Sequence, residues 1–285
     1  MARVTYLIPT LTCNDWLISA IKSIDKDAYQ DKEIVVVDNG SESIDEIQLT
    51  TLTRASTRIK VIHERSQGVA QALNAGIDSC DCEYIARLDA DDMVLCGRTQ
   101  KQVDALSCKS ELVGVGGNAV LINEHGKKIG RLVVPSLRSV KEMQCTLRFE
   151  NPYIHPAMML RTSVLHSFRY DADMLRCQDW DLWMRMAKAR HLITNLDDDL
   201  IFYRRHSNQE SVIKSRPADV KALRDALIRF DGNLEFPYMF QRIDLEQGQL
   251  TIYQILRILM KESGNIKNAY SLKKLASHLY RAKLK

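Results

Sequence analysis

The chain opens on an apolar run, Val4-Thr5-Tyr6-Leu7-Ile8, of the kind that a strand buried on both faces requires, and Pro9 is expected to stop it. Leu17, Ala20, Ile21 and Ile24 then fall at i, i+3, i+4 and i+7, which predicts a helix, with Asn14 placed to cap it. A second apolar run, Glu33-Ile34-Val35-Val36-Val37, ends at Asp38-Asn39-Gly40-Ser41. A polar helical segment follows, then a short strand over residues 59–62. Gly68 opens a helix with Val69, Leu73 and Ile77 on one face and Asn74 among them. The next strand, Tyr84-Ile85-Ala86-Arg87-Leu88, runs into Asp89-Ala90-Asp91-Asp92.

The second half is less regular. A helix is expected around residues 100–107, and a strand over 113–122 closed by the turn Asn123-Glu124-His125-Gly126. Asn151-Pro152-Tyr153-Ile154-His155-Pro156 reads as a rigid loop before a short apolar strand at 157–160. Gln178-Asp179-Trp180-Asp181-Leu182-Trp183 opens a helix running to about Ala189, and a final strand over 201–206 breaks at Ser207-Asn208. Beyond about Pro217 the pattern is helical.

Strands alternating with helices predict an α/β fold with a parallel sheet and right-handed crossovers. Ligands in such sheets bind outside the carboxyl ends of the strands. Pro9-Thr10, Asp38 and Asp89 each stand just past a strand end, so three strands deliver polar groups to one rim. Three carboxylates within four positions resist desolvation and belong at the solvent-facing end of their strand. Asp-x-Asp alternation sets two of them on one side of extended backbone. That side suits a hard divalent cation, Mn²⁺ or Mg²⁺, with positions left open for phosphates. Read alone, the motif fits a solvated Asp-rich turn equally well.

Composition narrows the class. Hydrophobic residues at 45% and charged residues at 27% are those of a soluble globular chain, and a net charge of +4 gives no argument for nucleic acid. From residue 251 to the end there are eight Lys/Arg against one Glu, a surplus of seven, which leaves the other 250 residues at net −3. Met1 to Asp15 lacks a basic region followed by an apolar stretch, and no apolar run approaches the ~18 residues of a membrane span. Seven scattered cysteines suit a reducing cytoplasm. Cys80-x-Cys82 has no matching pair at zinc-site spacing and reads as free thiols.

Ile8-Pro9-Thr10, Val37-Asp38-Asn39-Gly40-Ser41, Gly68-Val69-Ala70-Gln71-Ala72-Leu73-Asn74-Ala75-Gly76, Leu88-Asp89-Ala90-Asp91-Asp92, His155-Pro156-Ala157-Met158, Gln178-Asp179-Trp180-Asp181-Leu182-Trp183 and Tyr203-Arg204-Arg205-His206-Ser207-Asn208 together resemble the family 2 glycosyltransferases over roughly residues 4–212. The resemblance implies the GT-A nucleotide-sugar-binding fold, a Rossmann-like, mostly parallel sheet flanked by helices. It divides the chain into a catalytic domain at 1–215, with a nucleotide-sugar half at 1–110 and an acceptor half at 111–215, and a basic helical extension at 216–285.

It also implies roles. Pro9, Thr10, Asp38, Asn74, Asp89 and Ala90 would line the donor pocket, with Thr10 and Asp38 at base and ribose. Asp91, with Asp89 and His206, would hold the cation beneath the diphosphate, and Asp179 would be the general base. Two positions depart from the family's pattern. Gln178 replaces its usual Glu, and Asn39 its usual second Asp. Gln178 removes a negative neighbour and lessens any upward push on Asp179. His155 suits the acceptor cleft or a structural role, and of Trp180 and Trp183 at least one belongs in the core. Asp181 reads as an anchor in the helix's first turn. Arg204 and Arg205 are candidates to attract diphosphate, or to end a strand in solvent.

The expected reaction is inverting transfer of a sugar from a nucleotide sugar, with UDP as the expected nucleotide. The expected acceptor is a saccharide linked to a lipid such as undecaprenyl diphosphate, in capsule or lipopolysaccharide O-antigen synthesis. The expected location is the cytoplasm, peripheral on the inner face of the membrane. Ile252, Ile255, Leu256 and Leu259, and again Leu272, Leu275, Ala276 and Leu279, form apolar stripes beside basic residues. Such helices can lie on an anionic membrane or pack on the catalytic domain. A sugar-nucleotide nucleotidyltransferase would need a Gly-rich, cationic loop after the first strand, where Pro9-Thr10-Leu11-Thr12 stands. A non-catalytic, membrane-peripheral binding module remains the other alternative. A glycoside hydrolase needs neither metal nor nucleotide rim.

Overall fold

The computed structural model describes residues 3–40, 46–56, 58–66, 68–148, 150–174, 176–207 and 229. The chain divides into two units, Met1–Phe230 and Asp231–Lys285. The domain boundary expected at 215 and both apolar stripes of the extension lie outside the described residues.

Buried aliphatic runs make the first strands: β1 (Val4–Thr10), β2 (Lys32–Asp38), β3 (Ile59–His63) and β4 (Tyr84–Arg87). They pair in parallel in the order β3-β2-β1-β4. Helices α1 (Asp15–Lys26), α2 (Glu46–Ala55) and α3 (Val69–Asp78) connect them. Asn14 caps α1, its side chain accepting from the N–H groups of Trp16 and Leu17. Pro9 does not stop β1. Pairing with β4 ends at Leu7↔Arg87, so Pro9 has a strand partner on the β2 side alone, as a residue without an N–H tolerates. Gly76 packs α3 onto this sheet, since a Cβ there would meet Leu7 Cδ1 at 2.2 Å.

Beyond β4 come β5 (Met93–Val94), α4 (Arg98–Cys108), β6 (Leu112–Asn123), β7 (Lys128–Leu132) and α5 (Val140–Leu147). A 3-10 turn, His155–Ala157, precedes β8 (Met159–Arg161), α6 (Thr162–Phe168), α7 (Gln178–Lys188) and β9 (Leu192–Arg205). Of the expected strand at 157–160, Ala157 ends the 3-10 turn and only Met159 and Leu160 are strand, and the final strand starts nine residues before its expected beginning. The sheet order is β3-β2-β1-β4-β8-β6-β9-β5, with β7 on β6. β8 runs antiparallel between β4 and β6, and β6 and β9 run parallel to each other. The C-terminal ends of β1, β2, β4, β6 and β9 therefore share one rim. Among the described residues no helix is long and apolar enough to cross a membrane.

Candidate active site

β4 is four residues long, and the chain leaves it through a tight turn in which the Asp92 N–H donates to the Asp89 carbonyl at 3.2 Å. This turn gathers the carboxylates. One oxygen each of Asp89, Asp91 and Asp92 lies within 4.8 Å of the others. Asp92 is fully buried; its Oδ1 accepts the Arg204 N–H at 2.8 Å, and its Oδ2 has no partner among the described residues. Burial, then the charges of Asp89 and Asp91, push the Asp92 carboxyl well above the usual range. Burial and Asp89 push Asp91 up as well. An oxygen-only donor set, crowded like charges and an unpartnered buried oxygen fit a hard divalent cation.

β9 completes this wall. Its end carries Arg204, whose Nε donates to the Asp91 carbonyl at 2.8 Å and whose Nη1 donates to the carbonyls of Asn123 and Glu124 at 3.1 and 3.0 Å. Arg204 is thus a buried brace between the turn after β4 and the β6–β7 turn, while Arg205 is exposed beside Tyr203. His206 Nε2 lies 2.8 Å from Asp91 Oδ2, so the imidazole joins the cluster through Asp91. Trp16, in the first turn of α1, backs both residues. Its ring centroid is 4.8 Å from that of His206, and the Arg204 guanidinium sits 5.2 Å from the Trp16 ring.

On the side where the donor is expected, Thr10 and Asp38 are register partners at the ends of β1 and β2. Thr10 Oγ1 donates to the Thr12 carbonyl at 2.6 Å. Asp38 is buried, accepting from the Gly40 N–H at 3.1 Å and pairing with His63 Nδ1 at 2.9 Å. The Asn39 amide donates to the carbonyls of Glu64 and Ser66, at 2.9 and 2.6 Å, which an Asp could not do. Ala90 is half-buried in the turn between the carboxylates. Asn74 sits further back, its amide spanning the Tyr170 backbone: Nδ2 donates to the Tyr170 carbonyl at 2.9 Å, and Oδ1 accepts its N–H at 3.0 Å.

Asp179 occupies the first turn of α7, with Oδ2 accepting from Asn151 Nδ2 at 2.7 Å. Burial pushes its carboxyl up, and the Trp180 N–H and the Asn151 amide pull the other way. Asp181 has the anchoring role expected of it. It is buried and accepts from Arg185 Nε at 2.7 Å and Arg229 Nη2 at 3.2 Å. Trp183 is core, and Trp180 Nε1 donates to the Leu147 carbonyl at 2.9 Å. His155 Nε2 and the Tyr170 hydroxyl lie 2.8 Å apart, and burial holds the imidazole well below its usual pKa, hence neutral. The Gln178 Oε1 is buried without a partner among the described residues.

The model of the Glycosyl transferase family 2 matches residues 5–168. The chain belongs to this family. Among curated family members, it is 30% identical over 213 residues to the O-antigen biosynthesis glycosyltransferase WbnJ of Escherichia coli, covering 73% of this chain and 82% of that one. It is 29% identical over 195 residues to the amylovoran biosynthesis glycosyltransferase AmsE of Erwinia amylovora, covering 67% and 71%. Among solved structures, S. aureus TarS 1-349 in complex with UDP-GlcNAc superposes with a TM-score of 0.59 at 14% identity, covering 80% of this chain and 67% of that one. That likeness carries the GT-A fold expected from the sequence. The family match contains the carboxylate turn and ends before α7 and β9, which bring Asp179 and His206.

Four residues of this family 2 site escaped the sequence reading. Asp92 stood in the motif, but its burial was not legible. Arg87, at the end of β4, is buried and donates from Nη2 to Asp89 Oδ1 at 2.5 Å. Its charge is felt at Asp92, His155, Tyr170 and Asp179, so one cation serves both sides of the rim. Asn151 and Tyr170 are the other two, and each is set by a partner distant in sequence.

Proposed function

We propose that the chain is an inverting, divalent-metal-dependent glycosyltransferase that moves a sugar from a nucleotide sugar, with UDP as the nucleotide, to a lipid-linked saccharide during surface-polysaccharide synthesis. The observation that carries this reading is the rim itself. A carboxylate cluster stands at the end of β4, and a separate, hydrogen-bonded carboxylate, Asp179, stands at the start of α7. The names of WbnJ and AmsE support the pathway, and the UDP-GlcNAc complex of TarS supports the donor class.

Asp89 and Asp91 would hold the cation, with Asp92 behind them and His206 orienting Asp91. When bound, the cation supplies Lewis-acid stabilisation of the charge that collects on the departing diphosphate. Thr10, Asp38 and Ala90 line the base and ribose end, with Pro9 fixing the exit of β1 and Asn74 acting at one remove through the Tyr170 segment. Asp179 Oδ takes the proton from the acceptor hydroxyl as oxygen attacks the anomeric carbon. Asn151 and the Trp180 N–H hold the carboxylate in its ionised form and aim it. One base opposite one leaving group gives a single displacement, hence inversion. The basic extension would hold the enzyme at the membrane where a lipid-linked acceptor resides.

A panel of UDP-, GDP- and dTDP-sugars, scored by nucleoside diphosphate release with lipid-linked saccharide acceptors, tests the reading. Release with a UDP-sugar and a product of inverted anomeric configuration is expected. Retained configuration overturns the mechanism, and release from none of the donors overturns the function.

A further inference from the structure

His155 stands at the rim, between the carboxylate turn and α7. The 3-10 turn His155–Ala157 leads into β8, which runs antiparallel to β4, and the Arg87 N–H donates to the Met158 carbonyl at 2.8 Å. The start of β8 therefore lies beside the end of β4. His155 is half-buried, and its ring meets that of Trp183 edge-on, with centroids 6.0 Å apart and the planes at 76°. Trp183 and Asp179 are four apart on α7, hence on one face of that helix and about one turn, ~5.4 Å, from each other. His155 thus packs on the face of α7 that carries Asp179. Four residues earlier in the same loop, Asn151 holds the Asp179 carboxylate.

The Tyr170 hydroxyl fixes the proton of this ring. Tyr170 is buried, its backbone is held by the Asn74 amide, and its hydroxyl makes one hydrogen bond among the described residues, 2.8 Å to His155 Nε2. Burial keeps the phenol protonated and the imidazole neutral. Were the ring proton on Nε2, the phenol proton would be buried without an acceptor, which buried hydroxyls avoid. The phenol therefore donates to Nε2, and the ring proton sits on Nδ1, which has no partner among the described residues. We infer that His155 is an acceptor-binding residue whose Nδ1–H donates to a hydroxyl of the acceptor sugar, a neighbour of the hydroxyl that Asp179 deprotonates. The inference rests on the proposed transfer. A neutral N–H suits an uncharged sugar hydroxyl. Fixed beside the base, it selects which hydroxyl of the sugar is presented for attack.

The test is made on the full chain with a UDP-sugar at saturation and octyl glycosides of glucose, galactose, N-acetylglucosamine and N-acetylgalactosamine as acceptors. UDP release above the rate without glycoside reports transfer. His155→Gln sets an amide near the place of Nε2 and keeps the Tyr170 contact, whereas His155→Asn sets one near Nδ1. His155→Gln should raise the acceptor KM about three- to tenfold, the scale of one neutral hydrogen bond, with donor KM unchanged. His155→Asn should recover most of that loss. Tyr170→Phe, which frees the ring proton to leave Nδ1, should raise the acceptor KM and spare the donor KM. Among monodeoxy forms of the preferred glycoside, one should cost the parent about three- to tenfold and cost His155→Gln nothing. Recovery by Gln rather than Asn, a shift of the donor KM instead, or the same deoxy losses in parent and variant overturns the inference while the transferase reading stands. A parent that transfers neither to these glycosides nor to lipid-linked saccharides overturns that reading, and the inference with it.

Discussion

Asn151 Nδ2 donates to Asp179 Oδ2 at 2.7 Å, and this bond ties the loop between α5 and β8 to the first turn of α7. A donor to the ionised carboxylate favours that form and opposes the burial that pushes Asp179 up. The proposed base would work only when ionised, so turnover should fall as pH drops through its raised pKa. Asn151→Ala should move that acid limb to higher pH, costing more turnover at pH 5 than at pH 8. An equal loss at both pH values would mean a purely structural role. Asp179→Asn keeps the shape without the basicity and should lower turnover by about 10² to 10⁴ while leaving donor binding intact. A dead Asp181→Asn beside an active Asp179→Asn would move the base to the neighbouring acid.

The metal requirement is tested separately. EDTA should abolish transfer, and Mn²⁺ or Mg²⁺ should restore it. Asp91→Ala should cost about a thousandfold in rate, several kcal/mol of transition-state stabilisation. Undiminished activity of the chelated enzyme would sink this assignment.

Membrane association through the extension is part of the proposal. Each Lys or Arg near an anionic surface adds about 1 kcal/mol, screened by salt. Co-sedimentation of the full chain with vesicles should need anionic lipid, weaken at high salt and vanish when the chain is cut after Ser263. Equal binding by both forms, or by neither, would assign the stripes to packing or to a protein partner.

Asn39 explains one departure from the family's pattern. Its amide bridges two carbonyls of the segment after β3, and an Asp in its place would set a carboxylate against both. Asn39→Asp should cost about 1–2 kcal/mol, since both sites are partly solvated. A thermal melt should fall by about 3–6 °C. An unchanged melting temperature would show that the segment after β3 does not depend on these bonds.

The first four strands and the carboxylate rim were legible because buried parallel strands are nearly unbroken apolar runs, and polar groups right after them must surface at one edge. The first nine residues of β9 were not. Asp197, Asp198 and Asp199 break any strand pattern, yet β6 pairs alongside through three register shifts, while Lys101 and Arg131 reach Asp198 and Asp199 at 2.6 Å each. β7 is an exposed edge strand that among the described residues pairs with β6 alone, so burial left no mark on it. In the site, residue types were readable and their partners were not. Arg204 reads as a free cation until β9 is seen to lay it against the Asp91 carbonyl, 113 residues away in the chain.

Trp16 supplies the last test. Its ring is tilted 42° against His206 and faces the Arg204 guanidinium, so it limits how the imidazole can turn away from Asp91. Such aromatic contacts with a cation are worth about 0.5–2 kcal/mol. Groups that orient a ligand set typically change metal affinity by about 10–100-fold when removed. Trp16→Ala should therefore weaken Mn²⁺ binding within that range, measured by calorimetry or by the spin signal of free Mn²⁺, without any donor present. Trp16→Phe keeps an aromatic face and should recover most of the affinity. The acid limb set by Asp179 should stay where it is, since Trp16 backs the opposite wall. If Trp16→Ala lost thermal stability but bound Mn²⁺ like the parent, the ring would be packing for α1 alone, and His206 would be held by Asp91 without its help.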